Sequence, residues 1–355
     1  MKQIYNFCAG PAVLPQTVLV EAQQALLDFN GQGTSILSIS HRSQAFAEVM
    51  HHAEQDLHEL MGVPSNYRIF FVQGGATIQF SMVPMNLLRR YQRAEYVLGG
   101  FWSELAAKDA AQYGEILHSV DQLEQIVAPH WPIADNLDYV HCTPNETIHG
   151  VEFNTFPDLG DVPLVGDISS TILSQPLDVS RFGLLYAGAQ KNIGPSGISV
   201  VIIRDDLIGE ALPGTPRLLQ YQTYGKANGL PNTPPVFAWY VCGLVFKWLQ
   251  AQGGVTAMAE HNQRKAKALY HAIDGSDFYQ NSVLIKLRSK MNVVFHLPTP
   301  ELDKQFDQQA AEQGLLGLGG HRSHGGIRAS LYNAMPYEGV EALIAFMQEF
   351  EQRYG

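Results

Sequence analysis

The segment "YAGAQKNIGP", residues 186–195, sets one lysine, Lys191, between two apolar runs, Phe182–Leu185 and Ile198–Ile203. Such a lysine has two readings. It snorkels to solvent from a turn, as most lysines do, or it sits in a pocket where desolvation lowers its pKa and frees the amine as a nucleophile. Position alone favours the first, because charged side chains are seldom fully buried. What the neighbouring strand ends carry has to decide between them.

Working outward, short apolar runs alternate with helical ones. "RIFFV" reads as a strand and leads through Gln73-Gly74-Gly75 into the helical "TIQFSMVPMNLLRRY". "EYVLGG" precedes the helical "FWSELAAKDAAQY", and "LDYVHCT", "VPLVGD" and "GISVVIIRD" are further strands. This alternation predicts an α/β fold, a mostly parallel sheet with helices on both faces. Helical periodicity is also clear in "PQTVLVEAQQALLDF" and in "SQAFAEVMHHAEQDLHELMG", the latter closing on Gly62. Past residue 255 the order becomes helix, strand "NVVFHL", helix, glycine-rich loop, strand "GIRAS", helix. We therefore expect a large domain over 15–255 and a smaller α+β domain over 256–355, joined by an N-terminal arm, 1–14.

The chain has 355 residues, 46% of them hydrophobic, which suits a globular protein with a large core. A formal net charge of -11 argues against nucleic acid as a partner, since a binder needs a basic face. Three scattered cysteines, Cys8, Cys142 and Cys242, suit a reducing compartment better than a disulfide framework. The start "MKQIYNFCAGPAVLP" lacks a signal-peptide core, and "VFAWYVCGLVF" is too short to span a bilayer. A cytoplasmic protein away from membranes is expected. The sequon at Asn145-Glu146-Thr147 then reads as a chance match.

In open α/β sheets, ligands sit outside the carboxyl ends of the strands. After "RIFFV", two glycines and a helix start at Ala76-Thr77 offer backbone amides to an anion, or form an ordinary turn. Neither a Walker motif nor a dinucleotide fingerprint is present; "NGQGTS" follows a helix and lacks the third glycine. After "VPLVG" comes Asp167, either a helix N-cap or a partner for a buried cation. "EYVLGG" leads to Trp102, core or stacking face. "LDYVHCT" leads to the polar turn that holds Thr147. A lysine, an aspartate, a strand-end tryptophan and an anion cup on one rim are what pyridoxal phosphate needs. Two basic pairs stand apart, His41-Arg42 and His321-Arg322, with Arg328 in the next strand; arginine grips carboxylate or phosphate bidentately. His321 and His324 lack further metal ligands nearby, so no metal is expected. The histidines of "HHAEQDLHEL" lack metalloprotease spacing and read as a solvated helix face.

Nearly end to end, the chain resembles the class V aminotransferases of the type I pyridoxal-phosphate fold, in particular those acting on phosphoserine. The resemblance is carried by "NFCAGPAVLP", "GTSILSISHRS", "FFVQGGATIQFSMVPMNLL", "CTPNETIHGVE", "GDISSTILSQPLDVSRFGLLYAGAQKNIGPSG", "PNTPPVFAWY" and "GGHRSHGGIRASLYNAMP". It implies that Lys191 binds the cofactor covalently, with Gln190 beside it. It implies that Asp167 pairs with the pyridine nitrogen, Trp102 stacks on the ring, and Thr147 meets the phenolic oxygen. Ala76 and Thr77 would belong to the phosphate cup, joined by Asn232 and Thr233 of the partner subunit in a homodimer. Arg328 would hold the substrate α-carboxylate. His41 and Arg42, with His321 and Arg322 of the partner subunit, would hold the distal phosphate or carboxylate. Some members carry Gly-Arg-Gly where this chain has Ala76-Thr77-Ile78, and serine where Ala9 stands.

The implied reaction is a ping-pong exchange of an amino group between phosphoserine and 2-oxoglutarate, giving 3-phosphohydroxypyruvate and glutamate in serine biosynthesis. The phosphorylated hydroxythreonine of vitamin B6 synthesis is a further possible substrate. A cysteine desulfurase on the same fold and a non-catalytic cofactor- or phosphate-binding module remain as alternatives.

Overall fold

The computed structural model describes residues 3–118, 123–126, 128 and 130–355. Its strands in chain order are β1 (Tyr5–Asn6), β2 (Tyr67–Gln73), β3 (Arg93–Tyr96), β4 (Glu115–Leu117), β5 (Tyr139–Cys142), β6 (Asn145–Glu146) and β7 (Val151–Glu152). They continue with β8 (Leu164–Asp167), β9 (Leu184–Gly188), β10 (Ile198–Arg204), β11 (Asn292–Phe295), β12 (Leu315–Leu316) and β13 (Ile327–Ser330). The helices are α1 (Gln16–Leu27), α2 (Gln44–Met61), α3 (Gln79–Leu87), α4 (Phe101–Ala110) and α5 (Leu123–Ile126). They end with α6 (Tyr221–Lys226), α7 (Val236–Ala251), α8 (Gly254–Asp274), α9 (Pro300–Glu312) and α10 (Tyr337–Tyr354).

Seven strands form the central sheet in the order β2-β10-β9-β8-β5-β3-β4. All neighbours are parallel except those of β10, which runs antiparallel to both β2 and β9. Alternate residues feed two cores. Ile69, Phe71, Leu185, Val200 and Ile202 face α2 and α7, where Phe71 stacks on Trp239 at 4.5 Å. Phe70, Val72, Leu184, Tyr186, Val201 and Ile203 share the other face with residues of α3 and α4. Burial on both faces is why these strands read as unbroken apolar runs rather than alternating ones.

Local signals explain where helices begin and stop. Ser43 caps α2 through the Phe46 amide at 3.3 Å, and Gly62 ends it at φ 58°. The helix expected over "TIQFSMVPMNLLRRY" is shorter than its pattern. It opens with a tight turn at Ala76–Ile78 and stops at Leu87. The Asp138 carboxylate takes the Arg90 and Tyr91 amides at 2.9 and 3.0 Å, a rival acceptor that periodicity cannot reveal. Among the described residues no helix is long and apolar enough to cross a membrane. The "VFAWYVCGLVF" stretch is the buried part of α7, as expected.

A third core gathers Val293, Phe295, Phe306, Ile327 and Phe346 with Phe7 from the far N-terminus. β1 pairs in parallel with β12, Tyr5 beside Leu315, and so enters this core. Helix α8 belongs to both ends of the molecule. Its Met258 lies in the first core, while Ala266, Leu269 and Ile273 lie in the third.

Candidate active site

β8 delivers Asp167 at its carboxyl end, nearly inaccessible to water. One of its oxygens accepts from the Ser169 amide at 2.9 Å and the Ser169 hydroxyl at 2.6 Å. That hydroxyl accepts in turn from the Gly188 amide at 3.0 Å, tying the end of β8 to the end of β9. Turns follow Asp167 in the chain, so the carboxylate caps no helix. Burial raises its pKa, while Ser169 and the Lys191 charge hold it down.

β9 ends at Gly188, and Lys191 follows in a turn. Its amine donates to Thr147 Oγ1 and Ser170 Oγ, each at 2.8 Å, and those two hydroxyls are 2.6 Å apart. Burial pulls the pKa down to about 8, helped by Arg328 and resisted by Asp167 and Glu146. Lys191 is thus half-buried and hydrogen-bonded to two hydroxyls rather than extended into solvent. The N-terminal arm covers it. The Ala12 amide donates to the Gln190 carbonyl at 2.8 Å. A Cβ on Gly10 would lie 3.6 Å from Gln190 and 3.7 Å from Lys191, at a φ of 148°.

Trp102 stands in the first turn of α4, and a buried carboxylate holds it there. Glu146 accepts from the Trp102 amide at 2.9 Å and from the Ser103 amide and hydroxyl at 2.8 and 2.7 Å. A negative charge at a helix start is well placed. The indole N–H of Trp102 is buried and, among the described residues, has no hydrogen-bond partner. At the end of β2, Gly74 at φ 101° turns the chain into Ala76–Ile78 and α3, and no side chain caps this helix start. The Ile78 and Gln79 amides bond back to the Gly75 and Ala76 carbonyls, which leaves the Ala76 and Thr77 amides to meet an anion. Gln73, just before, donates to Asn232 Oδ1 at 2.9 Å and to the Thr233 carbonyl at 2.7 Å, so both residues lie beside this turn within one chain.

Arg328 comes from β13 and is close enough to Lys191 to lower its pKa. His321 packs its ring 5.6 Å from Phe101, next to Trp102, and hydrogen-bonds Ser323 at 2.6 Å. Arg322 and Arg42 are exposed and His41 is half-buried. Among the described residues, no hydrogen bond or ring contact joins His41 or Arg42 to Lys191. Sequence reasoning passed over Ser169, Ser170 and Glu146. The one available signal was the serine pair, Ser169-Ser170, two residues after a strand-end aspartate.

The sequence pattern of the family described as aminotransferase class-V matches residues 4–343. The chain is 52% identical to the phosphoserine aminotransferase of Hahella chejuensis, over 98% of each protein. It is 50% identical to that of Pseudomonas aeruginosa, over 100% of this chain and 99% of the relative. The phosphoserine aminotransferase of Bacillus circulans subsp. alkalophilus superposes with a TM-score of 0.95 at 45% identity, covering 99% of both chains. The pyridoxal-phosphate-bound enzyme of Trichomonas vaginalis does so with a TM-score of 0.93 at 36% identity, covering 98% of this chain and 100% of the other. The chain belongs to the class-V aminotransferase family and is an enzyme that uses pyridoxal phosphate. Within the family it falls among the phosphoserine aminotransferases.

Proposed function

We propose that the enzyme moves an amino group between phosphoserine and 2-oxoglutarate, with Lys191 and Asp167 as catalytic residues. One observation carries the reading: an amine with its pKa drawn down to about 8 rests on Thr147 and Ser170 beside the buried Asp167. Pyridoxal phosphate fits this set. A pyridinium nitrogen would relieve the burial cost of Asp167, the uncapped start at Ala76 and Thr77 suits a phosphate, and Trp102 offers a flat face. Gln190 and Thr147 complete the cradle, joined by the partner subunit's Asn232 and Thr233.

The bound cofactor supplies an electron sink and a temporary seat for the amino group. The chain supplies the rest. Lys191 would anchor the cofactor and, with its amine free, would take the proton from the substrate Cα. Asp167 keeps a proton on the ring nitrogen. Arg328 binds the substrate α-carboxylate. His41 and Arg42, with the partner subunit's His321 and Arg322, bind the distal phosphate or carboxylate, two anions of similar reach. Support for a cytoplasmic home comes from three free cysteines. Support for the division at 15–255 and 256–355 comes from a third core that gathers Phe7 of the arm with residues from Ala266 onward, while Met258 and Leu287 still pack in the first. The same site accepts the phosphorylated hydroxythreonine of vitamin B6 synthesis on this reading. A desulfurase is disfavoured, because burial pushes the Cys142 and Cys242 thiols far up, leaving little thiolate.

The test is the visible spectrum of the holoenzyme. Phosphoserine should shift the cofactor band and 2-oxoglutarate should restore it; no shift with phosphoserine defeats the substrate assignment. Borohydride should fix the cofactor to the peptide that holds Lys191. Finding it on Lys226, or on no lysine, defeats the mechanism.

A further inference from the structure

Lys265 is fully buried in α8, yet it has no carboxylate beside it among its hydrogen-bond partners. Its amine donates to three carbonyls of one turn, Leu331 and Tyr332 at 2.8 Å and Met335 at 3.1 Å. An ammonium has three N–H donors, so each carbonyl is matched. Burial works against the charge and draws the pKa to about 7. A buried charge is a costly filler where an apolar side chain would pack. What the ammonium adds is the fixed position of three backbone carbonyls.

That turn touches the site on two sides. It directly continues β13, which carries Arg328. Its Asn333 amide donates to Asn192 Oδ1 at 3.0 Å, and Asn192 follows Lys191 in the chain. Asn192 in turn donates to the carbonyls of Ser170 at 3.3 Å and Ile172 at 3.1 Å. Asn262, one turn before Lys265 on α8, donates to Asn333 Oδ1 at 2.8 Å and to the Ser174 carbonyl at 3.0 Å. The Tyr332 hydroxyl donates to the Ala9 carbonyl at 2.9 Å, holding the arm that crosses Lys191.

We infer that Lys265 is a positioning residue: by clamping the Leu331–Met335 turn it fixes the spacing between Arg328 and Lys191. An amino acid substrate has its carboxylate and amine on one carbon, so this spacing decides whether both can be met at once. The spacing matters to catalysis only if Arg328 binds the α-carboxylate as proposed above. The linkage to Lys191 can be tested without that assumption.

The experiment compares Lys265→Met, Asn333→Ala and the double variant with the parent. In the cofactor-free proteins, the pH dependence of Lys191 acylation, followed by peptide mass spectrometry, reports the amine. In the holoenzymes, the glutamate half-reaction is resolved into kcat and KM. Loosening the turn should admit water to Lys191 and move its titration upward in both single variants. kcat/KM for glutamate should fall about tenfold or more, and the double variant should lose no more than the worse single, because both act on one path. Unchanged Lys191 titration, or losses that simply multiply, would overturn the inference and leave Lys265 as core support. If Lys265→Met does not fold, Asn262→Ala joins Asn333→Ala in the same two measurements. A shifted titration with no glutamate turnover even in the parent would instead count against the proposed function and for the linkage.

Discussion

Lys191 rests on two hydroxyls at 2.8 Å, next to a buried aspartate and under a strap of backbone, while Arg42 and Arg322 stand in water on loops. The floor of the site is dry and cross-linked from β6, β8, β9 and the N-terminal arm. The rim is a set of cations on surface segments. Exposed charges contribute little, and desolvated ones a great deal. On the proposed reading, the proton-transfer groups Lys191 and Asp167 come from one chain, whereas choice of substrate needs the partner subunit to cover the rim.

Changing the floor should produce the largest effect. Asp167→Ala should keep the fold and lower kcat/KM by about 2 × 10²- to 5 × 10³-fold, the roughly 3–5 kcal/mol of a broken buried charge pair. Steady-state kinetics alongside circular dichroism checks this. Turnover like the parent's would erase the distinction between floor and rim.

The rim is sharpened by mixing two weak variants, Lys191→Ala and Arg322→Ala, under conditions of subunit exchange. In a two-fold dimer with shared sites, each mixed dimer regains one site with both residues intact. Half the dimers are then mixed with one live site in two, so activity should recover to about a quarter of the parent's. If Arg322 serves its own chain, the mixture stays at the level of its parents although mixed dimers form. His321 beside Phe101 of its own chain makes this the outcome worth excluding.

A smaller effect follows from the Lys191 amine. Only the neutral amine attacks the cofactor, and burial places its pKa at about 8. Cofactor uptake by the apoenzyme should therefore rise with pH through 8, and at pH 7 run about tenfold below its plateau. A rate still climbing toward pH 10 would mean that the amine is as wet as the rim.

Much of the sheet was legible because two buried faces leave unbroken runs such as Ile198–Ile203. The reversed direction of β10 was not, because an apolar run carries no sign of its orientation. Lys191, Asp167 and Thr147 were legible as polar residues at strand ends. Ser170 and Glu146 were hidden because a turn serine and a glutamate in a short strand are ordinary until their partners across the fold are known. Lys265 was hidden more completely, since within "HNQRKAKALY" it looks like one more solvated lysine.

The pairing of Tyr5 with Leu315 has a consequence in time. A ribosome makes β1 and Phe7 long before the strand and core residues they join. Until residue 316 has emerged, β1 has no strand to pair with and Phe7 no finished core to enter, so the arm beside Lys191 has the Ala12–Gln190 hydrogen bond but not its strand pairing. Contacts so distant in sequence form late. The nascent chain therefore carries an unfinished site long after Lys191 has been made, and β12 and Arg328 complete it together.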